Sequence, residues 1–384
     1  MLSKSISFQN FKTTIQSKSI KKNLKNILEK KNEVINSLSK NYKNNFKSKN
    51  LKKKYNSHNF RVIGMGGSIL GTKAIYDFLR KKIKKKFLFF DNLKIVKKKT
   101  NKKKFTNLIV SKSGNTIETI VNSNILISKN DKNIFITENK SNNLNLLAQK
   151  LKSEVIHHNN YIGGRYSVLS EVGMLPAEFM NLKSKNFRQL NTLIKNKNFL
   201  STLIKNVGAT LNFINQNKYN SIILNYDEHS ESLLKWYQQL IAESLGKNQK
   251  GILPIVSNMP KDNHSVMQFY LDGIQNNFFT FFYVQEKKSQ KINNNLILPN
   301  QRNLRNKKMS QIIYAQKKAT ENVFKRKNIP FRSFEIKKRD EKTLGELFCF
   351  FILETILLGK SLKVNPYNQP AVELIKKETK RILT

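Results

Sequence analysis

Short apolar runs rich in β-branched and aromatic residues recur along this chain, each followed by a longer amphipathic stretch. FRVIG (60–64), KFLFFDN (86–92), NLIVSKS (107–113) and KNIFITE (132–138) have the length and composition of buried strands. The pattern restarts with SIILNYD (221–227), GILPIVSN (251–258), FFTFFYVQ (278–285) and PFRSFEI (330–336). Strands that alternate with helices build βαβ units around parallel sheets. The expected fold is therefore α/β, with two doubly wound parallel sheets. A helical lead-in over residues 1–55 precedes a first α/β domain (56–185) and a second (186–384) that ends in a C-terminal helix. The polar, loosely helical segment 181–205 reads as the connection, and QEKKSQKINNN (285–295) as a surface loop. No sequence repeat relates the two halves. Doubly wound sheets bind ligands where loops converge at the carboxyl ends of their strands.

Charge is the feature most able to mislead. The 384 residues carry 71 Lys and Arg against 25 Asp and Glu, a formal charge of +46. Such an excess raises nucleic acid or an anionic membrane as partners. Yet the lysines are spread along the whole chain, as in RKKIKKK (80–86) and KKKTNKKK (97–104), with no basic helix interleaved with aromatics and no nucleic-acid motif. They read as a solvated surface that attracts small anions, so neither nucleic acid nor membrane is expected as a partner. The apolar run 347–358 is too short to span a bilayer and contains Glu354. One cysteine, Cys349 in LFCFFIL, excludes an internal disulfide and reads as a small buried hydrophobe. The first 28 residues hold no acid, but also no arginine and no apolar signal core. The chain reads as cytoplasmic.

Two strand ends in the first half lead into unusual turns. VIGMGGSILG (62–71) is not a dinucleotide fingerprint, because Ile69 stands where its third glycine would fall. It is a tight glycine turn at Gly64, Gly66 and Gly67 that delivers Ser68 to a helix start. LIVSKSGNTIET (108–119) gathers Ser111, Lys112, Ser113 and Thr116 where a strand gives way to a helix. Helix starts bind anions through unpaired N–H groups and the dipole. Short hydroxyls admit a phosphate to the backbone where long lysines would keep it away. The plainer reading is a pair of ordinary N-caps.

Further along, YIGGRYSVLSEVGMLP (161–176) uses Gly163 and Gly164 to bring Arg165 into a confined place; the plainer reading is a glycine turn with a surface arginine. WYQQLIAESLGK (236–247) is an amphipathic helix whose inner stripe holds Leu233, Trp236, Leu240 and Ser244. Gln239 and Glu243 lie one turn apart on its flank. A carboxylate at the edge of an apolar face can act as a general base, though most such residues are simply solvated. KDNHSVMQFYLDG (261–273) reads as a helix beginning at Asp262 or Asn263, with His264 held neutral in its first turn. His157 and His158 sit on a strand and face opposite ways. YNQPAVELIKKETK (367–380) opens the last helix, with Lys376 one turn after Val372 on the inner side. No Cys/His spacing suggests a metal.

Taken together and in chain order, GMGGSILG, SKSGNTIET, GGRYSVLSEVGMLP, WYQQLIAESLGK, DNHS and YNQPAVELIK resemble the phosphoglucose isomerase family of the sugar isomerase (SIS) fold. These stretches span residues 64–376. The resemblance makes both halves SIS-type and implies reversible isomerisation of glucose 6-phosphate and fructose 6-phosphate without metal or cofactor. It assigns Gly67, Ser68, Ser111, Lys112, Ser113 and Thr116 to the sugar phosphate. It gives ring opening to His264 with Lys376, proton transfer through a cis-enediolate to Glu243, charge stabilisation to Arg165 and a substrate contact to Gln239. A homodimer is implied, with His264 reaching the site from the partner subunit. Leu245 stands where the family has Asn, Asn263 where it has Gln, and Pro370 interrupts its Q-x-G-V-E stretch. Two related readings are an isomerase that also accepts mannose 6-phosphate and a non-catalytic phosphosugar sensor; the retained Glu243, His264, Arg165 and Lys376 speak against the sensor.

Overall fold

The computed structural model describes residues 2–12, 18–93, 105–128 and 130–384; the lysine run 97–104 lies outside the described residues. The eight apolar runs form strands, and Ile6–Gln9 and Glu154–His158 add two more, giving β1 (Ile6–Gln9), β2 (Asn59–Gly64), β3 (Lys86–Phe90), β4 (Thr106–Val110), β5 (Lys132–Glu138), β6 (Glu154–His158), β7 (Asn220–Asn225), β8 (Leu253–Asn258), β9 (Asn277–Val284) and β10 (Phe331–Ile336) among the described residues. They make two five-stranded sheets, in the orders β3-β2-β4-β5-β6 and β1-β10-β9-β7-β8. Every pairing is parallel except that of β1 with β10. Continuous burial of β4 and β9 explains their near-unbroken apolar runs, because helices cover both faces of such sheets. On β6, His157 is exposed and His158 buried, as the period of a strand requires.

Two expectations need correction. The lead-in is helical at Lys18–Glu29, Glu33–Ser37 and Ser48–Lys54, but Ile6–Gln9 forms an edge strand antiparallel to β10, with Ile6 opposite Ile336. A four-residue strand among serines and lysines has no local signature; its partner among the described residues lies more than 300 residues away. The 181–205 segment is not loose either. Its short helices bury Phe187, Leu190 and Leu193, and the Lys197–Asn215 helix adds Phe199 and Leu203.

The halves meet through helices. The Leu70–Phe78 helix, which follows β2, packs on the Glu231–Leu245 helix, which follows β7. The Glu341–Ser361 helix is buried from Thr343 to Gly359 and packs on the Glu231–Leu245 helix. That burial accounts for the apolar run 347–358: it is core, and no described helix is long and apolar enough to cross a membrane. Both buried carboxylates of this helix have partners: Glu354 is paired with Arg332 and accepts from Tyr237 (3.0 Å), and Glu346 accepts from Ser3 Oγ (2.6 Å), as polar groups in an apolar interior must. Cys349 on this helix is a fully buried free thiol, its pKa pushed up to about 12 by burial.

Candidate functional site

β2 and β4 lie side by side with Gly64 opposite Val110, so the chain leaves both strands at one point of the carboxyl edge. From β2 it enters the Gly66–Ser68 turn, and from β4 it runs through Ser111–Thr116 into the Ile117–Leu126 helix. Gly66 (φ 52°) and Gly114 (φ 67°) hold left-handed backbone that a side chain strains. Space is also short: a Cβ on Gly66 would fall 2.8 Å from Gln239 Nε2, and one on Gly114 would overlap the Asn142 amide.

Neither loop uses its hydroxyls as helix caps. Thr116 flanks its helix without capping it; its Oγ1 lies 2.9 Å from Ser111 Oγ. Ser68 precedes Ile69, which holds the cap position of the Leu70–Phe78 helix. Ser111 is buried, Lys112 half-buried and Ser113 exposed. Burial lowers the Lys112 pKa from the ordinary lysine value, with the Glu138 charge opposing the shift.

The second glycine stretch presses on the first. A Cβ on Gly67 would overlap the Gly164 carbonyl carbon and the Arg165 nitrogen, so the Gly66–Ser68 and Gly164–Leu169 turns share one backbone-to-backbone contact. Arg165 emerges from it 2% exposed, a buried arginine and not a surface one. Its Nε donates to Ser244 Oγ (2.7 Å), Nη1 to Glu243 Oε1 (2.9 Å) and Gln369 Oε1 (2.8 Å), and Nη2 to the carbonyls of Pro366 (2.7 Å) and Asn368 (3.1 Å). A guanidinium carries five N–H donors, and all five are taken. The Trp236 indole donates to the Arg165 carbonyl at 3.2 Å, fixing the residue from behind.

Glu243 stands at the partly open end of this network. Its second oxygen accepts from Gln239 Nε2 at 2.8 Å. Gln239 Oε1 is buried and has no partner, an acceptor left free beside Gly66. One turn of the Glu231–Leu245 helix thus sets an amide and a carboxylate side by side against the glycine turn. The inner stripe, with Trp236 and Leu240 fully buried, anchors that helix; burying each such side chain contributes ~1.5–3 kcal/mol.

Several members of this cluster had only weak signals in the sequence. Ser244, expected as part of the apolar stripe, bonds both Arg165 and the Tyr166 hydroxyl (2.9 Å). Gln369 lay inside the YNQP stretch, but nothing local pointed it at an arginine 204 residues away. Lys247, two residues after the helix, donates to the Asn365 carbonyl and so ties down the segment that holds Arg165. Burial, together with the Arg165 charge, lowers its pKa to about 8.

The structure does not bring His264 and Lys376 into the cluster. His264 closes a four-residue 3-10 turn, Lys261–His264, and the following helix starts only at Met267. The expected helix start at Asp262 fails because its carboxylate turns back to accept from the Asn258 N–H (2.7 Å) and Ser257 Oγ (3.0 Å), closing off β8. His264 therefore has no helix dipole behind it, and it is exposed. Lys376 lies on the Pro370–Leu383 helix, none of whose residues is buried, so the expected inner side does not exist within one chain. It pairs with Glu373 at 2.6 Å on the surface. Leu245 is fully buried with its side chain beside Gly359, which accounts for an apolar residue there, and Pro370 takes the first helical position after Gln369.

Paired parallel sheets, a hydroxyl-lined double turn at one switch point and a carboxylate–arginine pair facing it define a protein of the phosphosugar-isomerase fold. In comparisons with known proteins, the family model for phosphoglucose isomerase matches residues 12–384. Glucose-6-phosphate isomerase from Methanocaldococcus jannaschii is 31% identical over 350 residues, covering 85% of this chain and 84% of that one. The enzyme of the same name from Mycoplasmopsis pulmonis is 32% identical over 358 residues, 84% of this chain and 82% of its own. Among solved structures, a hypothetical protein from Thermus thermophilus matches with a TM-score of 0.84 at 21% identity, over 95% of both chains. A glucose-6-phosphate isomerase from Chlamydia trachomatis matches at 0.66 and 20% identity, over 88% of this chain and 72% of that one. The chain belongs to the phosphoglucose isomerase family.

Proposed function

We infer that this chain interconverts glucose 6-phosphate and fructose 6-phosphate by proton transfer between carbons 1 and 2. The observation that carries the residue assignment is the Glu243 carboxylate, gripped by Arg165 and Gln239 within one helical turn of the glycine loop. The phosphate rests among Ser68, Ser111, Lys112, Ser113 and Thr116, with Gly67 keeping the backbone close. That places the far end of an open-chain sugar at Glu243.

The carboxylate removes the proton from carbon 2 of the aldose and the carbonyl oxygen gathers the charge as a cis-enediolate forms; the hydroxyl proton on oxygen 2 passes to oxygen 1, and the carboxylic acid returns its proton to carbon 1, leaving the ketose carbonyl at carbon 2. Arg165 acts as a fixed cation. Its donors are already committed, so it stabilises the enediolate by charge and by exchanging the part-buried Nη1 bonds it shares with Glu243 and Gln369. A pre-aimed charge of this kind is worth roughly 3–4 kcal/mol. The free Gln239 carbonyl oxygen takes a sugar hydroxyl.

Ring opening falls to His264 and Lys376, which are exposed on a single chain and enter the site from a second copy. Leu374 and Ile375, 69% and 70% exposed on the same helix as Lys376, give that copy an apolar surface to cover. We therefore read a homodimer acting in the cytoplasm on a small sugar phosphate. A coupled assay with fructose 6-phosphate tests the reading: turnover must be present in the intact protein and collapse in Glu243→Gln with binding retained. Unchanged turnover in that variant would remove Glu243 as the base. Mannose 6-phosphate in the same assay distinguishes the broader isomerase.

A further inference from the structure

The two sheets share one strand plan. Written from the same end and leaving aside the antiparallel edge strand β1, β3-β2-β4-β5 aligns with β8-β7-β9-β10: the first of these strands in sequence lies second, the next lies outside it, and the third crosses back to its other side. Each sheet therefore reverses direction at one point, between β2 and β4 in the first and between β7 and β9 in the second. The crevice at such a reversal is where doubly wound sheets bind ligands. In the first sheet it is the hydroxyl-lined double turn already described.

The second crevice is open, and no role has been given to it above. A cavity of about 750 Å³ lies at the carboxyl ends of β7 and β9, reached by Tyr226 and Asp227 from one and by Val284 and Glu286 from the other. That volume falls within the usual range for small-molecule sites. It sits at the start of the Glu231–Leu245 helix, whereas Glu243 sits near its end, so about 20 Å of helix separates the two places. Lys81, from the turn after the Leu70–Phe78 helix, also lines it, so both halves of the chain contribute.

Its charge is lopsided. Asp227 is taken by Arg339 (2.6 Å) and Glu286 by Lys81 (2.5 Å). Lys287, Lys288, Lys291 and Lys308 also line the cavity, and none has an acidic partner within ion-pair distance among the described residues. The backbones of Lys291 and Lys308 form a bridge, which holds two of these ammonium-bearing positions next to each other. Only Glu228 remains as an unpaired acid there. The Met309–Arg326 helix begins at the cavity, but its first N–H groups are taken by Gln290 O (2.9 Å) and Ser289 Oγ (3.1 Å). Ammonium groups, not backbone, must therefore do the recognition. That suits several phosphates spread over a small molecule better than one phosphate in a tight cradle.

We propose that the crevice between β7 and β9 is a second ligand site, for a small metabolite carrying two or more phosphate groups. Calorimetric titration of the whole protein with tripolyphosphate tests this, in about 150 mM salt to suppress unspecific charge and with fructose 6-phosphate saturating the catalytic site. The intact protein should bind one equivalent, and K287A/K288A/K291A should bind at least about tenfold more weakly. The control K18A/K21A/K22A removes three exposed lysines from the Lys18–Glu29 helix and should leave affinity unchanged. Equal losses in both variants would reduce the effect to surface charge and overturn the site, as would an absence of saturable binding. Orthophosphate binding as tightly as tripolyphosphate would overturn the need for several phosphates. A hexose bisphosphate and a nucleoside triphosphate, titrated in parallel, distinguish sugar from nucleotide. Both variants should keep full isomerase turnover, so failure here is separable from failure of the catalytic reading.

Discussion

Gln369 and Lys376 are seven residues apart, yet they live in opposite surroundings. Gln369 reaches inward to Arg165 and belongs to a network in which every guanidinium donor is satisfied. Lys376 stands on a helix with no buried residue, paired only with a neighbour on its own surface. The first region is complete within one chain: Glu243, Arg165, Gln239 and Gln369 share hydrogen bonds, and the glycine turns pack closely against Gln239 and the Arg165 backbone. The second has the composition of an interior face without an interior. The Glu243–Arg165 pair is thus built by folding of one chain, while under the proposed function His264 and Lys376 would need association with a second copy.

The comparison can be broken most decisively at Glu243. Glu243→Gln should lower kcat by about 10²–10⁴-fold with KM nearly unchanged, since it removes proton transfer and keeps the shape. A steady-state coupled assay measures it, and a changed KM with unchanged kcat would make Glu243 a binding group. His264→Ala should also lose about 10²-fold or more. If His264 serves the partner's site, mixing unfolded His264→Ala and Glu243→Gln chains and refolding them together must restore activity that neither has alone. No recovery would place His264 and Glu243 in the same site of one chain.

Arg165→Lys should cost about 2–4 kcal/mol of stability in denaturant unfolding, because three donors cannot serve five acceptors in a buried place. Lys376→Ala, exposed and outside the fold, should leave that stability unchanged while slowing turnover on the closed sugar. Equal destabilisation by the two substitutions would erase the distinction between the regions.

The smallest expected effect concerns Lys247. Its pKa of about 8 lies below the ordinary lysine value, so it is charged below that pH and neutral above it. Any help it gives to an anionic substrate fades as pH rises through 8, and KM should rise there. Lys247→Met should flatten that limb. On the stability side the sign is opposite: between pH 8 and the ordinary lysine value the unfolded chain binds the extra proton, so the native state gains stability as pH rises. A pH series of KM and of unfolding midpoints reads both.

How much of this was legible beforehand differs element by element. Eight strands announced themselves as apolar runs, most plainly β4 and β9, whose burial on both faces demands them, whereas β1 did not, being four residues long and defined wholly by β10. Ser111 and Thr116 stood out as hydroxyls in a lysine-rich chain, and the structure adds that they bond each other instead of capping a helix. Ser244 was visible only as a member of an apolar stripe. Its partnership with Arg165 joins positions 79 residues apart, a separation that no local pattern encodes.

By itself the sequence determined the alternation of strand and helix, the glycine turns and the residue types available for chemistry, because these follow from burial period, backbone freedom and side-chain pKa, all local properties. Only the tertiary structure decided which of those residues meet. Arg165 became a saturated buried cation, Lys247 a depressed amine and Lys376 an outward lysine through contacts made across more than a hundred residues of chain or not made at all. Hydrogen bonds and desolvation act over a few ångströms of space, and sequence distance says little about that.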